Sequence, residues 1–152
     1  MSSVTQPATF AFSPEYKAKA DAIIAKYPAG RQRSAVIPLL DLAQRQSGGW
    51  LPRAAVHHVA EVLEMADIRV WEVASFYTMF KLEPHGRACI EVCTTTPCWL
   101  RGSEAIVGAL EDELGIKLGE VTSDGAIGLD EVECLGACVH APMFQIGDDY
   151  FE

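Results

Sequence analysis

Four cysteines stand in two tight pairs, Cys93-x4-Cys98 and Cys134-x3-Cys138, with 35 residues between the pairs. Small or turn-forming residues fill the gaps, with Thr94, Thr95, Thr96 and Pro97 in one and Leu135, Gly136 and Ala137 in the other. Soft thiolates drawn from two separate segments are the donor set of a metal ion or an iron-sulfur centre. That requirement constrains the fold: two distant loops must meet at one place.

Disulfide stapling is the competing use of paired cysteines, and it needs an oxidising compartment. Residues 1–9 lack the basic and apolar regions of a secretory signal and the arginines of an organelle transit peptide. A reducing compartment is therefore expected, without structural disulfides. The chain has 152 residues, 49% of them apolar and 22% charged, enough for one ordinary core or two small ones. The longest strongly apolar run, 68–80, contains Arg69 and Glu72 and is too short to cross a bilayer, so no direct membrane insertion is expected. A net charge of -9 with scattered arginines repels phosphate backbones, and no nucleic-acid partner is expected.

The first half reads as helical. Ser13-Pro14-Glu15 is a cap with proline at the first helical position, and Tyr16, Ala20, Ile23, Ile24 and Tyr27 recur at helical spacing. A second helix carries Val36, Ile37, Leu39, Leu40, Leu42 and Ala43 and ends at Gly48-Gly49. A third runs from about Pro52 to Leu63, and a fourth from about Arg69 to Phe80. Pro84 and Gly86 break the pattern, which sets a helical domain over 1–85 and a second domain over 86–152. There a strand over 88–92 precedes an amphipathic helix from Trp99 to Leu114, closed by Gly115. Strands follow over 127–132 and 143–146, with a hairpin turn at Gly147-Asp148-Asp149. A helix between two strands implies a right-handed crossover with parallel pairing, and the terminal hairpin adds antiparallel pairing. The fold class expected is α+β: an N-terminal helical bundle, then a thioredoxin-like domain with a small mixed sheet.

The fifth cysteine, Cys89, echoes the spacing of the second pair, since Cys89 and Cys93 are also four apart. Both lie on the expected strand, where four residues span roughly 13 Å, too far to share a compact centre. Cys89 therefore reads as a small buried hydrophobe. For the remaining four, a structural zinc site is compatible with the spacing. Dithiol redox chemistry favours Cys-x-x-Cys, which is absent. Two pairs in loops that follow two strands suit a two-iron, two-sulfur cluster, each pair holding one iron. The first loop would enter a helix whose N-terminal amides favour an anionic cluster. Gly136 and Ala137 would let backbone amides approach the sulfurs.

The segments Cys93-Thr-Thr-Thr-Pro-Cys98 and Glu131-Val-Glu-Cys134-Leu-Gly-Ala-Cys138-Val-His-Ala-Pro142 resemble the iron-sulfur small subunit, the 24 kDa type, of the NADH dehydrogenase module of respiratory complex I. Leu40-Asp-Leu-Ala-Gln-Arg-Gln46, Gly49-Trp-Leu-Pro52 and Val70-Trp-Glu-Val-Ala-Ser-Phe-Tyr-Thr-Met-Phe80 extend the resemblance through the helical half. The resemblance implies a 2Fe-2S cluster on Cys93, Cys98, Cys134 and Cys138, with Cys89 outside the set. It implies an electron-transfer subunit of NADH:quinone oxidoreductase, docked on a larger flavoprotein that binds NADH and FMN. Other peripheral-arm subunits would be neighbours, at the cytoplasmic face of a membrane-bound complex or the matrix face in a mitochondrion. Similar small subunits serve NAD-linked hydrogenases and formate dehydrogenases, and a structural zinc module is the alternative outside electron transfer. The resemblance also implies a cis proline at Pro142. Family members continue past the equivalent of Glu152 into a further helix, so a truncated or short form is expected here.

No phosphate-binding glycine loop, Ser-His-Asp set or supported carboxylate pair appears, so no NADH or flavin site is expected on this chain. His57 and His58 are adjacent on the third helix, where packed or solvated roles are expected; His140, two residues past Cys138, is near enough to approach the centre, and a loop role is expected for it. The acidic run 111–113 reads as a solvated helix face.

Overall fold

The computed structural model describes residues 5–152; residues 1–4, where the stretch read for a targeting signal begins, lie outside the described residues. The chain separates into two compact units, one ending at Pro84 and one spanning His85–Glu152.

The first unit is built from α1 (Pro14–Ile24), α2 (Val36–Gln46), α3 (Arg53–Leu63) and α4 (Asp67–Phe76). Ser13 caps α1 by accepting the Tyr16 amide on its hydroxyl, and Pro14 sits where a missing amide costs nothing. Leu39, Leu40 and Ala43 of α2 meet Val59, Ala60 and Leu63 of α3 and Val70 of α4 in a sealed core. Each fully buried leucine or valine contributes about 1.5–3 kcal/mol.

The fourth helix stops earlier than its apolar pattern predicts. It ends at Phe76, and Tyr77 turns into extended backbone at φ -88°, ψ 119°. Gln44 stabilises the departure from both sides: its amide nitrogen donates to the Met79 carbonyl at 3.0 Å and its carbonyl oxygen accepts the Lys81 amide at 2.8 Å. The apolar stripe thereby divides. Val70, Ala74 and Phe80 are core, whereas Phe76, Tyr77 and Met79 are exposed.

The second unit is a five-stranded mixed sheet in the order β2-β3-β1-β4-β5, comprising β1 (Ala88–Cys93), β2 (Glu120–Val121), β3 (Ile127–Val132), β4 (Phe144–Ile146) and β5 (Asp149–Phe151). β1 is parallel to β3, in register from Ala88 opposite Ile127 to Cys93 opposite Val132, and antiparallel to β4. The expected parallel pairing of the strands on either side of the helix and the terminal hairpin are both present. β2 is an addition, because two residues carry no readable period. The single helix expected after the first cysteine pair is two: α5 (Thr96–Leu100) and α6 (Ser103–Leu114), divided at Gly102, whose φ of 96° no helix accommodates. α6 lays Ile106, Val107, Leu110 and Leu114 against Ile90, Val92 and Leu129 of the sheet. The architecture is the expected α+β, and among the described residues no helix is long and apolar enough to cross a membrane.

Candidate iron-sulfur centre

Parallel strands carry their C-terminal ends to the same edge of a sheet. Cys93 is the last residue of β1, and Cys134 follows β3 by two residues, so the sheet delivers both cysteine segments to one edge. The Thr94 amide donates to Val132 O at 3.4 Å, extending the ladder past the strand, and the Cys93 amide donates to Met143 O at 3.3 Å. The chain then turns into α5, where Cys98 comes back beside Cys93. The two are buried together with Met143 and packed by Leu135, Ala137 and Ala141. Because α5 has only five residues, the dipole expected at its start is short.

The second pair is exposed. Gly136, at φ 72°, turns its amide onto Cys134 Sγ at 3.2 Å, the approach expected from its small size. Cys138 opens a single 3-10 turn, Cys138–His140, in which the His140 amide donates to Ala137 O at 2.9 Å. The Ala141-Pro142 peptide that follows is cis, as the resemblance implies. The Cys98 thiol is pushed above its ordinary pKa first by burial, then by its hydrogen bond with Cys93; the Met143 amide acts in the opposite direction. Negative charge on Cys93 or Cys138 raises it further, so Cys138 lies within electrostatic reach of the buried pair.

These four thiols fall into two pairs, the donor division of a binuclear cluster. A tetrahedral zinc with Zn–S bonds of about 2.3 Å holds its four sulfurs about 3.8 Å apart. Among the described residues, no three of Cys93, Cys98, Cys134 and Cys138 bring their sulfurs within 4.8 Å of one another; the one group of His, Cys and acidic side chains that does converge so closely is His85, Cys89 and Asp130. A 2Fe-2S cluster divides four thiolates into two pairs on two irons, the division that the two cysteine segments supply. The amide on Cys134 Sγ and the apolar shell around Cys93 and Cys98 are the groups by which a protein adjusts such a centre.

Cys89 departs from the sequence reading. It is half-buried, and its Sγ lies 3.7 Å from Asp130 Oδ2. Sequence reasoning did not find His85 or Asp130, because Cys89 meets Asp130 only through the register that pairs Cys89 with Gly128, two residues before Asp130. The other residues singled out have structural partners. His57 Nδ1 meets Asp67 Oδ2 at 2.8 Å, and His58 packs edge-on between Phe10 and Phe12. His140 pairs with Glu152. Glu111 is more than a solvated face residue, since it binds Lys117 Nζ at 2.7 Å and accepts the Leu118 amide.

Residues 20–152 match the model of the thioredoxin-like [2Fe-2S] ferredoxin family, whose cofactor is a 2Fe-2S cluster. An NADH-quinone oxidoreductase subunit of Rickettsia bellii is 56% identical over 148 residues, covering 97% of this chain and 89% of that protein. The mitochondrial NADH dehydrogenase [ubiquinone] flavoprotein 2 of Dictyostelium discoideum is 52% identical over 143 residues, covering 94% of this chain and 58% of that one. Among solved structures, a chain of an NAD+-reducing [NiFe]-hydrogenase in its H2-reduced state superposes with a TM-score of 0.61 at 23% identity. The match covers 74% of this chain and 19% of the hydrogenase chain, so it speaks for the fold alone. By its family match and by identity along nearly its whole length, the chain is a member of the thioredoxin-like [2Fe-2S] ferredoxin family.

Proposed function

We propose that this chain is the electron-transfer subunit of an NADH:quinone oxidoreductase, with Cys93 and Cys98 holding one iron of a 2Fe-2S cluster and Cys134 and Cys138 the other. The cluster supplies a one-electron carrier. The observation that carries the reading is the pairing: two cysteine pairs leave two parallel strands at one sheet edge, one pair for each iron. The chain's own residues bury Cys93 and Cys98 away from water, donate an amide to Cys134, and leave the second pair at the surface. An exposed ligand pair suits a carrier whose electrons come from another protein.

That partner is a flavoprotein subunit binding NADH and FMN. Trp99 and Leu100 of α5 and Val139, which is 92% exposed beside Cys138, surround the centre with exposed apolar surface of the kind a docking partner covers. The helical domain over 1–85 and the cluster domain over 86–152 would both belong to the peripheral arm of the complex, at its cytoplasmic or matrix face. Similarity to NADH-quinone oxidoreductase subunits at 55–57% identity favours this host over a hydrogenase, whose structural likeness is at 23%.

The test is composition and spectrum. Two irons and two acid-labile sulfides per chain, with an EPR signal on reduction, are expected; a colourless chain holding zinc and no sulfide would refute it. Purified alone, the chain should not oxidise NADH, and turnover should appear on adding the flavoprotein subunit.

A further inference from the structure

The His85, Cys89 and Asp130 side chains lie apart from the four-cysteine centre. Cys89 and Cys93 sit on the same face of β1 but four residues apart, roughly 13 Å at about 3.3 Å per residue. Here an imidazole, a thiol and a carboxylate each present one ligand atom, and all three atoms lie within 4.8 Å of one another. His85 Nε2 is 3.0 Å from Asp130 Oδ1, and Cys89 Sγ is 3.7 Å from Asp130 Oδ2. Ligands of a tetrahedral ion with bonds of 2.0–2.3 Å stand about 3.3–3.7 Å from each other, a separation that three atoms lying within 4.8 Å of one another reach by small side-chain shifts.

Two further features indicate a built site. His85 Nε2 is buried and makes no hydrogen bond, although the Asp130 oxygen is at hydrogen-bond distance. The approach therefore lacks hydrogen-bond direction, although the two atoms face each other at short range. The backbone also makes room for the ring. A Cβ at Gly128 would stand 2.5 Å from His85 Cδ2 and 2.9 Å from Nε2, and one at Gly86 would stand 2.7 Å from Gly128 N. Two glycines thus let His85 lie against β3 and reach Asp130.

We propose that His85 Nε2, Cys89 Sγ and Asp130 form a mononuclear site for a zinc-class divalent cation, distinct from the iron-sulfur centre. One nitrogen, one sulfur and one oxygen ligand match zinc's borderline softness, whereas magnesium and calcium take all-oxygen sets. Water fills the fourth position. Binding releases the Cys89 thiol proton to solvent, because thiolate is the ligand form. The ion ties the segment before β1 to β3, pinning the start of the central strand whose other end is Cys93.

The experiment uses the full chain with its iron and sulfide content measured, equilibrated with zinc chloride and freed of loosely held metal by gel filtration. One retained zinc per chain is expected without loss of iron, and zinc-edge X-ray absorption should show one sulfur among nitrogen and oxygen neighbours. Cys89→Ser, His85→Gln and Asp130→Asn should each weaken zinc binding by at least the roughly 10- to 100-fold that loss of an outer-shell partner costs. Gly128→Ala should weaken it too, with every ligand still in place; the optical spectrum of the cluster reports whether each variant is folded. No retained zinc, zinc surrounded by four sulfurs, or affinity unchanged in Cys89→Ser would overturn the proposal. Iron and sulfide content judges the cluster reading separately, so the two can fail independently.

Discussion

The Tyr150 hydroxyl donates to the Leu135 carbonyl at 2.8 Å, which fastens the last strand of the sheet to the loop between Cys134 and Cys138. A neutral hydrogen bond of this kind contributes about 0.5–1.5 kcal/mol net. Tyr150→Phe keeps the ring and deletes the bond, so the loop should open roughly two- to tenfold more often. The measurement is the rate at which an iron chelator bleaches the cluster. A rate equal to that of the unaltered chain would show that the loop is held by other contacts.

Replacement of Cys93, Cys98, Cys134 or Cys138 by serine should abolish or grossly alter the optical and EPR spectra of the cluster, since a hydroxyl is a poor substitute for thiolate. Cys89→Ser should leave both spectra intact. Loss of the cluster in Cys89→Ser together with its retention in Cys98→Ser would reassign the ligands.

The exposed apolar residues beside the centre give a prediction about docking. Leu100→Asp and Val139→Asp should leave the reduced EPR signal unchanged and lower NADH-dependent activity reconstituted with the flavoprotein subunit. Full reconstitution by the double variant would remove this surface from the interface.

His57 titrates above its ordinary value near 6.5, first because Asp67 hydrogen-bonds its ring and then through the charges of Asp67 and Glu61. A folded pKa above the unfolded one means that this pair stabilises the chain fully below about pH 6.5, and the contribution is lost as pH rises through the folded value. Both side chains are exposed, so the effect on overall stability is small. An NMR titration of the His57 ring should find the raised midpoint, and Asp67→Asn should bring it back toward 6.5. An unmoved midpoint would mean that Asp67 is not the cause.

Leu129 is completely buried at the centre of β3 against Ile90 and Val92. Leu129→Ala should cost about 2–5 kcal/mol, seen as an earlier denaturation transition in the second unit. A change below about 1 kcal/mol would imply that α6 settles into the space.

Much of this architecture was legible because its signals are local. Ser13-Pro14 marked the start of α1, Gly115 the end of α6, and the run 127–132 the strand β3. The misreadings came from contacts made at a distance. The pattern carries the fourth helix to Phe80 because it cannot know that Gln44, more than thirty residues earlier, captures Met79 and Lys81. Gly102 breaks the following helix unseen, because glycine inside an apolar period does not announce a positive φ. The cysteine pairs were readable from spacing alone. The environment of Cys89 was not, because its neighbours His85 and Asp130 are fixed by the pairing of β1 with β3, and strand register is invisible to a single sequence.

The parallel pairing of β1 and β3 also frees one dimension of the chain. Because the hydrogen-bond ladder, not the crossover, decides where Cys93 and Cys134 meet, the 35 residues between the cysteine pairs act as slack rather than as a ruler. Residues added to the turns around β2 would bulge outward at small entropic cost, since doubling a loop's length costs only about 0.6 kcal/mol. The intervals Cys93 to Cys98 and Cys134 to Cys138 have no such slack, for each is a single turn of chain that must return to its own starting point.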